Sequence, residues 1–277
     1  MEFGKKLFLA PALAVALMLA SVATATARPT PYYLSLGDSL SVGFQPDAQG
    51  VGRPTDQGFD HHIAHGLRLT ELGCPAETTT SMINGGVCHY AGFKSQLDAA
   101  ADFLAKHRGQ VALVTIVIGA TDVENCATPT GIDLTCVTQG VGAIQANLPV
   151  ILARLKAADP TSHAKVIGLN LYDPFLAAFL QGPAGQELAR QSVPLTQQVN
   201  TVLAGAYRQA RAAVADVETA FHTTDFTPGS TGVPVNVAAI CSLTFMCAAP
   251  PVGPNIHPNC AGYRVMAHAV AAQLRRW

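Results

Sequence analysis

Charge is scarce in this sequence: Asp, Glu, Lys and Arg make up 13% of its 277 residues, against about 25% in an ordinary soluble domain. The 17 basic and 18 acidic residues nearly cancel, so no electrostatic footprint for nucleic acid or an anionic membrane is present. Beyond the N-terminus no stretch approaches the about 18 unbroken apolar residues that a spanning helix needs. Seven cysteines occur without a single C-x-x-C pair, which argues against zinc and thioredoxin-type redox chemistry. The 24 glycines and 18 prolines are spread along the chain. That spread excludes a coiled coil, a collagen-like repeat and a polytopic membrane protein. With 49% hydrophobic residues, the composition is that of a compact, loop-rich globular protein with length enough for a proper core.

The first 27 residues differ in kind from the rest. Lys5 and Lys6 precede an apolar run from Leu7 to Ala20, and small residues follow at Ala23, Ala25 and Ala27. This layout predicts a secretory signal peptide over 1–27, cut at Ala25-Thr26-Ala27 or Ala23-Thr24-Ala25, and an extracellular mature chain 28–277. All seven cysteines fall in that mature part: Cys74, Cys88, Cys126, Cys136, Cys241, Cys247 and Cys260. In an exported protein they read as disulfides. Pairing sequence neighbours gives 74–88, 126–136 and 241–247 with Cys260 left over, one arrangement of the 15 that six cysteines allow. The longest of those loops would gain about 3 kcal/mol from its bridge.

Apolar, β-rich runs at Tyr32–Leu36, Val111–Ile118, Lys165–Leu171 and, more weakly, Ala213–Val217 are continuous rather than alternating. Such runs predict parallel strands covered on both faces. Helical patterns lie between them, at about 56–71, 95–107, 138–158, 185–211 and 260–275; Leu148, Ile151, Leu152 and Leu155 form one apolar stripe. The alternation predicts one doubly wound α/β domain of three layers, a mostly parallel sheet flanked by helices. No repeat or linker divides it. In such folds sites sit on loops at the carboxyl ends of strands. The candidate loops are therefore Gly37-Asp38-Ser39-Leu40-Ser41, Gly119-Ala120-Thr121-Asp122 and the Gly-, Pro- and Cys-rich segment 222–259.

Ser39, just past a strand, is placed for nucleophilic attack, with a helix N-terminus to favour developing negative charge. It needs a base, and His257 stands on a loop that can reach the same edge.

Gly37-Asp38-Ser39-Leu40 resembles the first block of the GDSL, or SGNH, hydrolases. Leu72 to Thr79 is similar to the second block, Gly119-Ala120-Thr121-Asp122 to the third, and His257-Pro258-Asn259 with Gly262-Tyr263 to the last. Together the blocks cover essentially the mature chain. The cysteine pattern resembles the secreted actinobacterial branch of esterases and lipases, whose three local disulfides match the neighbour pairing above. The rival α/β-hydrolase elbow G-x-S-x-G is absent, because Ser41 occupies the position of its last glycine.

The resemblance implies an SGNH-hydrolase, flavodoxin-like fold and a serine esterase or lipase working through an acyl-enzyme on Ser39, with His257 as base. Its oxyanion donors map onto the Ser39 N–H, the N–H of Ala76 where the family has glycine, and Thr121 where it has asparagine. Alanine keeps the N–H, so that change is expected to be mild unless the site needs positive φ. A hydroxyl is shorter than a carboxamide, and losing one such donor costs about 2.7–4 kcal/mol of barrier. The Asp that the family places three residues before the histidine is Pro254 here. A Ser–His dyad steered by the Pro254 carbonyl is expected, with Asn255 as the other candidate partner. The resemblance implies a small-molecule or lipid ester as substrate, no cofactor and no metal, and a monomer with no nucleic-acid partner and no membrane span. The alternative is a weak or inactive family member that binds esters, lipids or glycans. The Gly, Ala, Thr and Pro content of loops 43–58, 76–94 and 222–256 predicts a shallow apolar cleft formed by them.

Three other features have plainer readings. His61, His62 and His65 form H-H-x-x-H, which lacks the glutamate of H-E-x-x-H and a third ligand, and is read as polar groups on a solvated helix. Asp38 and Asp122 are read as loop anchors rather than a paired-carboxylate site. Cys260 is read as a buried free thiol.

Overall fold

The computed structural model describes residues 1, 2, 4 and 29–275, apart from 129, 130 and 162. The signal-peptide expectation therefore lies almost wholly outside the described residues. Five strands form one sheet: β1 (Tyr32–Gly37), β2 (Arg68–Glu71), β3 (Val111–Val117), β4 (Lys165–Leu169) and β5 (Ala213–Ala215). Their spatial order is 2-1-3-4-5, and every pairing is parallel. This is the flavodoxin-type order, whose switch point lies between β1 and β3. The fold class expected from the continuous apolar runs is the one observed.

β1, β3 and β4 are buried through most of their length because helices cover both faces. After two short helices, α1 (Phe59–Ile63) and α2 (Thr79–Asn84), the helices α3 (Gln96–Lys106), α4 (Leu134–Ala158), α5 (Pro183–Gln209) and the C-terminal Cys260–Leu274 supply that cover. The stripe of α4 continues as Val137, Val141, Ile144, Leu148, Ile151, Leu152 and Leu155, all buried. Among the described residues α4 is the one helix long and apolar enough, by length and composition, to cross a membrane. Here that stripe belongs to the core around the sheet.

The helix expected over 56–71 is overturned. A short helix, α1, covers Phe59–Ile63, the chain turns at Gly66 with φ +76°, and Arg68–Glu71 pairs in register with Tyr32–Ser35 as the edge strand β2. RLTE carries a charge at each end and lacks the apolar run of a central strand. Short charged edges are how sheets avoid pairing with other chains, and they hide the strand signal. The disulfides Cys74–Cys88, Cys126–Cys136 and Cys241–Cys247 are the neighbour pairs expected. Cys260 is free but exposed, against the expectation of a buried thiol.

Candidate active site

At the end of β1 the backbone of Gly37 passes so close to β3 that a Cβ there would stand 1.8 Å from the Val117 carbonyl oxygen. Its φ of +132° is likewise open only to glycine. Gln96 grips this residue twice: the Gly37 N–H donates to Oε1 at 2.7 Å, and Nε2 donates to the Gly37 carbonyl at 2.9 Å. The chain then enters a 3₁₀ turn, Ser39–Val42, which Asp38 caps by accepting the Leu40 N–H at 2.9 Å. Burial pushes the Asp38 carboxyl well above the usual carboxylate range. Ser39 is thus set on a rigid corner at the switch point of the sheet.

His257 arrives from 218 residues away, and its Nε2 lies 2.9 Å from Ser39 Oγ. It sits on a short strand, β6 (Asn255–Pro258), anchored at three points: the Tyr172 hydroxyl donates to the Ile256 carbonyl at 2.6 Å, Gln45 Nε2 donates to Pro258 O, and the Asn259 side chain caps the helix that follows. The Phe44 ring packs on the imidazole with centroids 4.8 Å apart.

The expected Pro254 carbonyl is not the partner of the ring. His257 Nδ1 meets Asn255 Oδ1 at 2.8 Å, and the backbone N–H of His257 donates to the same oxygen at 3.0 Å. The reason is local. Asn side chains readily accept the N–H two residues on, and the turn so formed brings the amide oxygen under the ring. The main-chain donor also decides the amide's orientation, since a flipped NH₂ would face an N–H. With oxygen toward the ring, Nδ1 carries the proton and Nε2 is left as acceptor for the Ser39 hydroxyl. Because the partner is a neutral amide, no charge offsets the loss of water around the half-buried ring, and desolvation pulls the His257 pKa down to about 4.

The Cys74 N–H donates to the Gly37 carbonyl at 3.0 Å, which brings the loop carrying Ala76 beside Ser39. Ala76 has φ +65°, so the condition under which Gly-to-Ala ceases to be mild is met. Thr121 lies in the turn after β3, half-exposed, next to Ala120. Asp122 ties the two loops together: one carboxylate oxygen accepts the Thr79 N–H at 2.9 Å, the other its hydroxyl at 2.7 Å. That is the loop-anchoring role read from the sequence. Left-handed backbone costs alanine about 1–2 kcal/mol, offset by the greater freedom glycine has in the unfolded chain, about 0.4–1 kcal/mol. Ala76→Gly is therefore expected to stabilise the fold by up to about 1 kcal/mol, read as a rise in Tm.

An apolar cleft of about 70 Å³ opens beside the pair, lined by Ser39, Ala120, Val123, Phe175, Val199 and His257 among others. A second hollow of about 50 Å³ continues it and shares Val123, Phe175, Thr196 and Val199. Its walls are the segments after β3 and β4 together with α5, not the loops 43–58 and 76–94 that composition pointed to; from 222–256 only Ile256 takes part. A larger hollow of about 320 Å³ lies at the amino-terminal edge, around Asp159, His163 and Lys165, away from the edge where such sheets bind ligands.

A parallel sheet in 2-1-3-4-5 order, with a Ser–His pair on the loops of its switch point, defines a class of α/β proteins distinct from those built on a G-x-S-x-G elbow. Within it, the chain belongs to the GDSL-like lipase/acylhydrolase family, whose model matches residues 35–265. No curated protein matches the chain. Among solved structures, the extracellular lipase of Streptomyces rimosus is similar with a TM-score of 0.58 at 18% identity, covering 87% of this chain and 99% of that one. Phospholipase A1 of Streptomyces albidoflavus is similar at 0.57 and 17%, covering 88% and 99%. A variant of an acetyl xylan esterase from Geobacillus stearothermophilus follows at 0.50 and 16%, covering 88% and 94%. These likenesses show the shared fold.

Proposed function

We propose that this protein is a secreted serine esterase that hydrolyses carboxylic esters of short acyl chain. The observation that carries the reading is the 2.9 Å contact between Ser39 Oγ and an imidazole nitrogen that the Asn255 oxygen leaves free to accept a proton. In the proposed reaction Ser39 Oγ attacks the ester carbonyl while His257 Nε2 takes its proton. The tetrahedral oxyanion is met by the N–H groups of Ser39 and Ala76, with the Thr121 hydroxyl at the third position. His257 then protonates the departing alcohol, leaving an acyl-enzyme that water, activated by the same imidazole, hydrolyses. The small volume of the cleft supports a short acyl group. The N-terminal pattern and the three disulfides support export, with residues 1–27 removed and 28–277 as the working enzyme.

Hydrolysis of p-nitrophenyl acetate, butyrate and decanoate tests this. Turnover with kcat/KM falling from butyrate to decanoate is expected; no turnover of any of them would favour the ester- or lipid-binding alternative. The pH profile follows from the base. Protonated His257 cannot accept the serine proton, so kcat/KM should rise with pH and reach half its plateau near pH 4 rather than near the about 6.5 of an unperturbed imidazole. An acid limb centred above pH 6 would contradict the burial of this ring.

A further inference from the structure

Asp60 is fully buried, neither of its carboxylate oxygens meets a donor of ordinary geometry, and its close polar neighbour is the Glu71 carboxyl. Buried polar groups are almost always satisfied, and an exception calls for a missing water or ion. The helix that carries it opens at Gly58, where a Cβ would stand 2.3 Å from Asp60 Oδ1, so the chain keeps the space beside the carboxylate clear. Asp60 does not stand alone. One ligand atom each from Asp60, His61 and Glu71 lie within 4.8 Å of one another, and His61 Nε2 is 3.4 Å from a Glu71 carboxylate oxygen. Asp60 is buried, His61 intermediate and Glu71 exposed, which makes a cluster with a closed floor and an open mouth. The H-H-x-x-H spacing plays no part in it, because α1 ends at Ile63 and His65 lies beyond the helix.

We propose that Asp60, His61 and Glu71 bind one divalent transition-metal cation, zinc by preference, which ties α1 to the edge strand β2. Two carboxylates balance the charge of the ion. An imidazole ligand suits zinc and its neighbours, whereas calcium and magnesium take shells of oxygen. Ligand atoms about 2.0–2.2 Å from zinc stand about 3.4 Å from one another in a tetrahedron, a spacing that a rotamer change of the exposed Glu71 can reach. A fourth position stays open to water. α1 packs against the Ser39 turn and the C-terminal helix, so the ion would brace the scaffold behind the Ser–His pair without touching substrate.

The test is titration calorimetry of ZnCl₂ into the untagged, EDTA-treated protein, with thermal unfolding alongside. One zinc per chain is expected, and at a hundredfold excess over Kd a rise in Tm of about 5–10 °C. Asp60→Asn and Glu71→Gln should each weaken binding at least tenfold; the latter alters only an exposed side chain and leaves the core intact. Absence of binding up to about 1 mM would overturn the proposal in favour of a proton shared between the two carboxyls or a buried water. Equal affinity in both variants would overturn it too, by assigning the zinc to other histidines.

Discussion

Ser39→Ala is expected to abolish ester hydrolysis, lowering kcat by about 10⁴–10⁶-fold while leaving Tm unchanged. The side chain's structural role is small. Its hydroxyl meets His257 Nε2, whereas the rigid corner is held by Gln96, by the Asp38 cap and by the close approach of Gly37 to β3. Removing the hydroxyl deletes the atom that bonds to the acyl group in the proposed reaction and nothing that holds the turn. His257→Ala should cost a similar amount, and the double variant little more, because the two groups act as one unit. Kinetics with p-nitrophenyl butyrate decide this. Turnover persisting in Ser39→Ala at more than about one hundredth of the parent rate would sink the acyl-enzyme mechanism.

The second large effect belongs to Asn255. It touches the imidazole, and in the proposed reaction it acts by positioning His257. Groups that orient a functional histidine are worth about 10–100-fold, and Asn255→Ala is expected to lower kcat/KM by about that factor, with KM little changed. A loss of rate alone could come from a distorted loop, so the informative variant is Asn255→Asp. A carboxylate in the same place accepts the same two N–H groups but adds a negative charge beside the ring. That charge favours the imidazolium and must raise the His257 pKa above the value of about 4 that desolvation sets. The acid limb of the profile should then move to higher pH while plateau activity is retained. An unshifted limb would show that Asn255 does not face the ring in solution, and would return the orienting role to the Pro254 carbonyl.

These two variants also separate what could be read along the chain from what could not. Ser39 and His257 stood out because each sits in a short block with its own pattern, and because continuous apolar runs placed the serine at a strand end. Asn255 was legible only as one of two candidates. Whether the ring meets the Pro254 carbonyl or the Asn255 amide depends on the conformation of the loop, which composition does not encode. Ala76 and Thr121 were found by matching positions, yet the φ of +65° that makes Ala76 costly arises from the turn that lays Cys74 against Gly37. The lining of the cleft was misread for a related reason. Val123, Phe175 and Val199 come from three separate connections, and only the packing of α5 across the sheet brings them together.

By itself the sequence determined the class of fold, the paired strands at the centre of the sheet, most of the helices and the serine and histidine that meet at the candidate site. Those features rest on local signals: runs of β-branched residues, a stripe at helical spacing, and four short blocks in order. Tertiary structure alone decided the edge strand β2, the partner of His257, the walls of the cleft and the meeting of Asp60 with Glu71. Each of these depends on contacts between residues that are polar or unpatterned where they stand. Their free energy comes from neighbours supplied by chain folding, so no local pattern can announce them.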